Sequence, residues 1–455
     1  MTIQVREYAT LTCDTRREAS MDLGIVSPAT FDWLLELQQG WKGRADLLSV
    51  EGKRQLKLCS HVGYLQSPHG EAIEILPKTE HAPPEGPEKL RHLLHRMLRS
   101  ALDVKHREAG SAELMRSQTP LHEWVIGQFL HEVAELVRRG LRFDYRNVEE
   151  QCRFIRGQLD INQQLRQMPD KAAHFHVRHA EFSPDRLENR LLKTALDIVF
   201  RLTKNSENWR LANTLSQQLA DIAPIRQPLR QFDRWHSGKM MRSYADIKPW
   251  CRLILEQLNP DFQKGEHKGI ALLFPMEQLF EHYLSRCLRQ QLQPGARLTP
   301  QASRRYLLSH APHSANEPQN WFVLKPDFLI EHQGTRFVLD AKWKLLNQKL
   351  ATTEHKYGIR QADLYQMFAY GHKYLDGKGQ LMLIYPAHRD FDQPLPVFHF
   401  DGQLSLWCVP LDLFTGKLAD GDWQRAFGCF NKPATSFCTS QSDPDYQSNV
   451  HQLRA

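Results

Sequence analysis

A chain of 455 residues and 53.0 kDa, 41% hydrophobic and 24% charged with a mean hydropathy of -0.54, has the composition of folded protein and the length for two or three domains. These values exclude a fully disordered chain, a collagen-like fibre and a membrane-embedded protein; no run reaches the roughly 18 consecutive apolar residues of a membrane helix. The formal charge of +7, from 59 basic and 52 acidic residues, permits a nucleic-acid partner without demanding one.

Residues 1–117 read as a mixed α/β region. Ala29–Leu37 has the apolar spacing of a helix, whereas Leu56–Cys59 and Ile73–Pro77 alternate as half-buried strands. The run His81–Pro87 is a hinge or loop by composition. A helix then runs from Pro87 or Glu88 to about Val104, with Leu90, Leu93, Leu94 and Leu98 near one face. Residues 118–270 are mostly helical, over Glu123–Arg139, Leu187–Leu202 and Trp209–Ile222, with a short β segment at Tyr145–Gly157. Pro184–Arg190 opens a helix with acid in its first turn.

Residues 271–455 begin with a helix at Met276–Gln291. Strands are expected around Arg304–Ser309, Trp321–Glu331 and Arg336–Lys342, then a helix at Gln361–Leu375 and strands at Gln380–Tyr385 and Leu404–Leu411. The end after Thr435 reads as a loose tail. This order predicts a small sheet flanked by helices, and for the whole chain a multidomain α+β or α/β fold.

The eight cysteines are scattered without a C-x-x-C pair, which argues against a zinc site or disulfide framework. The N-terminus lacks a basic stretch followed by an apolar one, so no signal peptide is read and the expected location is cytoplasmic.

The strongest chemical signal is Lys325-Pro326-Asp327 followed by Leu339-Asp340-Ala341-Lys342. A hairpin closes the distance between Asp327 and Asp340, and period-2 alternation points Asp340 and Lys342 the same way. Two carboxylates and the Ala341 carbonyl suit a hard divalent cation, with waters in the remaining positions. Such an ion polarises a phosphodiester and helps ionise an attacking water. Lys342 beside it orients the water or neutralises charge on the phosphate. Asp-x-Lys on a strand is also common as a solvated ion pair. The apolar run leading into Asp340 argues instead for a buried strand end. Glu277 and Glu281 share a helix face, and Glu281, bordering the stripe Phe280, Tyr283, Leu284, Cys287 and Leu288, is the better third carboxylate. Gln366 and Tyr370, also four apart, and Lys344 are candidates for holding a phosphate backbone or supporting the site; Leu364, Phe368 and Leu375 are read as core residues of that later helix.

Several segments occur in order along most of the chain. They are Gly63-Tyr64-Leu65 with Ile73–Lys78, Arg156–Asp160, Glu181–Arg190, Leu279–Glu281, Leu324–Asp327, Leu339–Lys342 and Gln361–Gln366. In this set the chain resembles the McrC-type subunit of methylation-dependent McrBC restriction systems, and residues 271–455 resemble a PD-(D/E)xK nuclease domain. The resemblance implies a Mg2+-dependent DNA endonuclease, with Mn2+ a possible substitute. It implies a McrB-like AAA+ GTPase ring as partner, which binds the GTP and recognises modified cytosine in double-stranded DNA. The N-terminal part would plug into that ring and stimulate it. By position, Asp327 and Asp340 match the nuclease acids, Lys342 the lysine and Glu281 the helix acid. The extension beyond about Tyr385 departs from the compact pattern. The chain has no G-x-x-x-x-G-K-[ST] segment, so a motor must come from another chain. Two alternatives stay open: a non-catalytic activator or scaffold of the partner, and a stand-alone DNA repair nuclease.

Overall fold

The computed structural model describes residues 2–40, 46–52, 54–80, 86–102, 119–171, 173–258, 269–303, 305–312, 317–400 and 403–431. The expected tail after Thr435, residues 81–85 of the hinge and Arg304 lie outside these. The chain forms two compact units, Met1–Arg286 with Ala341–Leu345, and Cys287–Asp340 with Leu346–Ala455.

The first unit opens with strands β1 (Thr2–Arg6), β2 (Thr10–Thr12) and β3 (Leu23–Ile25), the helix Pro28–Gly40, and strands β4 (Leu48–Gly52), β5 (Gln55–Leu58), β6 (His61–Gln66) and β7 (Ala72–Leu76). They make two four-stranded sheets, β3-β2-β5-β4 and β1-β7-β6-β11, the last strand, β11, being Ile270–Pro275. Val5, Leu11, Leu34, Leu56, Leu65, Ile73, Ile75 and Leu273 share one core. Gly63 lies opposite Leu273 at φ +142°, where a Cβ would sit 2.0 Å from the Leu272 carbonyl oxygen, so β6 and β11 approach only because this residue has no side chain.

The helix Pro87–Ala101 buries Leu90, Leu93, Leu94 and Leu98 as its spacing predicts. It also buries Arg91, because its guanidinium makes paired bonds of 2.7 and 2.6 Å to the Glu74 carboxylate of β7. The helices Leu121–Arg139, Leu187–Leu202 and Ser206–Gln218 follow. The last begins three residues earlier than its apolar pattern indicates, since the Asn205 side chain accepts from the Glu207 and Asn208 N–H groups and caps it. Between the first two lie strands β8 (Asp144–Cys152), β9 (Gln158–Leu159) and β10 (Phe175–Ser183), in the order β8-β10-β9.

In the second unit β12 (Arg297–Pro300), β15 (Phe328–His332), β16 (Thr335–Ala341), β17 (Lys378–Pro386), β18 (Phe398–His399) and β19 (Gln403–Leu411) form one sheet ordered β12-β15-β16-β17-β19-β18. Strands β13 (Arg305–His310) and β14 (Gln319–Leu324) form a separate pair. The single strand expected over Trp321–Glu331 is therefore two strands in two sheets. Pro326 explains the break: it has no N–H for a ladder and restricts the residue before it. The helix Gln361–Tyr374 buries Asp363, Met367, Tyr370, Gly371 and Tyr374. Phe368, expected in that core, is 39% exposed and packs edge-on to His372 and against Phe400 instead. The whole is a multidomain α+β architecture of several small sheets flanked by helices. Among the described residues no helix is long and apolar enough to cross a membrane.

Candidate functional site

The antiparallel pairing of β15 with β16 runs from His332↔Thr335 to Phe328↔Leu339. The next residue on each side is Asp327 and Asp340, so the hairpin register carries the two acids to the same end of the sheet. Residues directly opposed across such a ladder have Cα atoms about 4.5–5.5 Å apart. Phe337, Val338 and Leu339 lead into Asp340, which is itself 1% exposed; Asp327 is half-buried. A buried strand end was the expectation from the apolar run, and it holds.

Aromatic hydroxyls frame the Lys325-Pro326-Asp327 turn. The Tyr370 hydroxyl donates to the Lys325 carbonyl at 3.0 Å and accepts from the Gln366 amide at 2.8 Å. One helical turn on, the Tyr374 hydroxyl bonds the carbonyls of Ala302 and Leu324, both at 2.7 Å. The Gln301 N–H holds the Asp327 carbonyl at 2.8 Å. The turn is thus gripped from two sides. Burial pushes the Tyr370 hydroxyl up to about 12, and the negative charges of Asp340 and Asp327 add to the rise. This tyrosine therefore senses both carboxylates. Tyr385 of β17, raised well above the ordinary tyrosine range by burial, also feels Asp363 and Asp340. Asp363 lies in the quoted segment Gln361–Gln366, yet its burial beside the site was not evident, because an acid in the first turn of a helix ordinarily reads as a dipole partner.

Beyond Ala341 the strand ends, so alternation no longer dictates where Lys342 points. The segment Ala341–Leu345 belongs to the first unit. There the Trp343 ring packs 5.3 Å from that of Phe280, and its indole N–H donates to Glu7 at 2.7 Å. Phe280, Tyr283 and Leu284, expected as the buried stripe beside Glu281, are each 3% exposed or less. Among the described residues no set of three or more His, Cys, Asp and Glu is placed to hold a metal ion. The pair of aspartates with a neighbouring backbone carbonyl is nonetheless the kind of hard-oxygen donor set that suits Mg2+, which binds through one or two carboxylates and keeps several waters.

A family described as the McrBC 5-methylcytosine restriction system component matches residues 56–386. The chain belongs to this family. The McrBC match takes in Asp327, Asp340, Lys342 and Tyr370 and stops at the last residue of β17. A type IV methyl-directed restriction enzyme of Escherichia coli K12, EcoKMcrBC, is 24% identical over 265 residues, covering 54% of this chain and 70% of that protein. The fold is similar to a chain in a half-complex of Thermococcus gammatolerans McrB AAA+ hexamers with bound McrC. The TM-score there is 0.63 at 20% identity, over 94% of this chain and 98% of that one. A second structure of the T. gammatolerans McrBC complex matches 64% of this chain and 88% of that one, at TM-score 0.48 and 22% identity.

Several segments that carry the McrBC resemblance are structural in origin. Gly63 permits a close strand pair, and Glu74 anchors Arg91. Asn189, fully buried, donates to the carbonyls of Arg142 and Pro184 and accepts from the Tyr244 hydroxyl. Gly157 has φ +75°, and a Cβ there would lie 2.5 Å from the Arg178 carbonyl.

Proposed function

We propose that this chain is the nuclease-bearing, McrC-type subunit of a two-component McrBC system, a Mg2+-dependent DNA endonuclease driven by a partner AAA+ GTPase. The observation that carries the reading is the hairpin register that brings Asp327 and a buried Asp340 to one strand end. Two carboxylates held together repel each other, and a divalent cation relieves that repulsion. Asp327, Asp340 and the Ala341 carbonyl would hold the ion. When bound, it supplies a polarised phosphate and an ionised water. Lys342 offers a compact positive charge two residues from Asp340, suited to the charge that develops on the phosphoryl oxygens. Tyr370, Gln366 and Tyr374 keep the Asp327 turn in place. Lys344 is assigned to backbone contact.

The lack of a P-loop supports a division of labour in which GTP and modified-cytosine recognition belong to the partner. A protein partner is further supported by exposed aromatics at one end of the β8-β10-β9 sheet. Tyr145 is 71% exposed and Phe182 is 59% exposed, and the Phe182 ring stacks on Phe143 and lies tilted against Tyr145.

The test is cleavage of a cytosine-methylated plasmid by the chain purified with its AAA+ GTPase, with GTP and Mg2+. Asp340→Asn should reduce cleavage beyond the roughly 10–100-fold typical of a supporting residue around a metal, with complex assembly and GTPase stimulation retained. Cleavage by Asp340→Asn at the wild-type rate removes Asp340 from the site. A wild-type complex that hydrolyses GTP and never cuts returns the chain to a scaffold.

A further inference from the structure

We propose that Glu7 is a positioning residue for Lys342, acting through the indole of Trp343; the inference rests on the nuclease reading above and deepens it. The Glu7 Oε1 atom accepts two bonds at once, from the Lys78 backbone N–H at 2.8 Å and from the Trp343 indole N–H at 2.7 Å. Three pieces of the first unit meet on this one oxygen: the β1–β2 turn, the end of β7, and the segment that follows Asp340.

Each side of the junction is fixed. Glu7 itself is 0% exposed, and its own N–H bonds the Leu76 carbonyl at 2.9 Å. Its neighbour Arg6 grips Asp22 with bonds of 2.5 and 2.6 Å. Tyr8 on the other side takes a left-handed conformation, φ +64°, which L-residues adopt at a cost and which turns the chain sharply here. On the far side Trp343 is 6% exposed and lies against Phe280. The chain from Lys342 to Asn347 has left the β-ladder, so the buried indole is a fixed point one residue from the lysine. Misplacing a reacting group by about 1 Å can cost on the order of 100-fold in rate.

Glu7 is a carboxyl adapted to this place. Burial raises it to about 8, so near neutrality it is mostly uncharged, and Glu7→Gln keeps both its shape and an accepting oxygen. Trp343→Phe keeps a ring on Phe280 and removes only the donor.

The experiment uses the full chain with its AAA+ partner and a methylated plasmid, in single-turnover cleavage at saturating DNA. Hydrogen exchange of the 341–345 amides is followed by mass spectrometry on the same proteins. Glu7→Ala and Trp343→Phe should each slow cleavage by about 10–100-fold, with DNA affinity unchanged and exchange at 341–345 faster. Glu7→Gln should stay within about threefold of wild type, and the double variant Glu7→Ala/Trp343→Phe should be no slower than the worse single one. A structural role alone would lower the melting temperature and leave the cleavage rate of the folded protein intact, which overturns the proposal. Unaltered exchange in Glu7→Ala overturns the anchoring itself. A wild-type complex that fails to cleave while exchange responds as expected refutes the nuclease reading and leaves the anchor standing.

Discussion

Tyr370→Phe removes one oxygen from the wall of the candidate site and nothing else. The hydroxyl makes two hydrogen bonds, to the Lys325 carbonyl at 3.0 Å and from the Gln366 amide at 2.8 Å, and the residue is 4% exposed. Each neutral bond contributes about 0.5–1.5 kcal/mol net, so the loss should be about 1–3 kcal/mol. For a domain of this size that corresponds to a melting temperature lower by about 2–12 °C. The hydroxyl ionises only near 12, raised first by burial and then by the two aspartates, so no charge changes at neutral pH. The Lys325 carbonyl lies two residues before Asp327. Freeing it should loosen the turn that carries Asp327 and slow single-turnover cleavage by roughly 10-fold, while DNA affinity, set by surface groups, stays level. Calorimetry and a cleavage time course read the two effects. A variant that melts within about 1 °C of wild type and cleaves at full rate would show that the hydroxyl does not hold the Asp327 turn.

Lys342→Ala should abolish most cleavage at saturating DNA and leave DNA binding and partner GTPase stimulation within about twofold, because its interaction is made chiefly in the transition state; Lys342→Arg should rescue poorly. If cleavage instead survives and the salt dependence of binding falls by about one phosphate contact, Lys342 is a backbone cation. The third test is stability against pH. Burial lowers His95 to about 3 and His122 to about 4, the latter opposed by Glu123. The unfolded chain protonates both near 6.5 and the folded chain does not, so their contribution is full above that pH. It is lost as pH falls toward 4, at about 1.4 kcal/mol per unit for each. Glu7, raised to about 8, acts in the opposite direction over the same range, so the histidines are read by difference. In urea unfolding the change in stability between about pH 5 and 7.5 should shift by about 2 kcal/mol in each of His95→Gln and His122→Gln relative to wild type, and an unshifted change would mean that the imidazoles are not buried as neutral groups.

Much of the architecture is visible in the chain itself. The helices Leu187–Leu202 and Met276–Gln291 follow their apolar period closely because each buries one long stripe. The pairing of Asp327 with Asp340 is visible for a similar reason, since a short turn between two apolar runs sets the register. Strands of two or three residues, such as β2, β3, β9 and β18, are too short for any period to register. The other contacts around the site are hidden by distance along the chain: Tyr370 reaches back to Lys325, and Trp343 to Glu7. Spacing rules describe neighbours on one element, and these partners share none. The acids read as candidates for chemistry, whereas the tyrosines that brace them read as ordinary core.

The place of β11 has a consequence for synthesis. β1, β6 and β7 leave the ribosome early, but the strand that completes their sheet along β6 follows only after the entire helical segment. Until Ile270–Pro275 is made, β6 presents an open row of N–H and C=O groups, the kind of edge on which nascent chains aggregate or pair wrongly. Trp343 comes later still, so Glu7 stays buried-in-waiting until the second unit is partly translated. A fragment stopped at Ile270 would freeze this unfinished stage. Fragments meant to isolate the first unit should run through Arg286, and they will still lack the indole that Glu7 is shaped to receive.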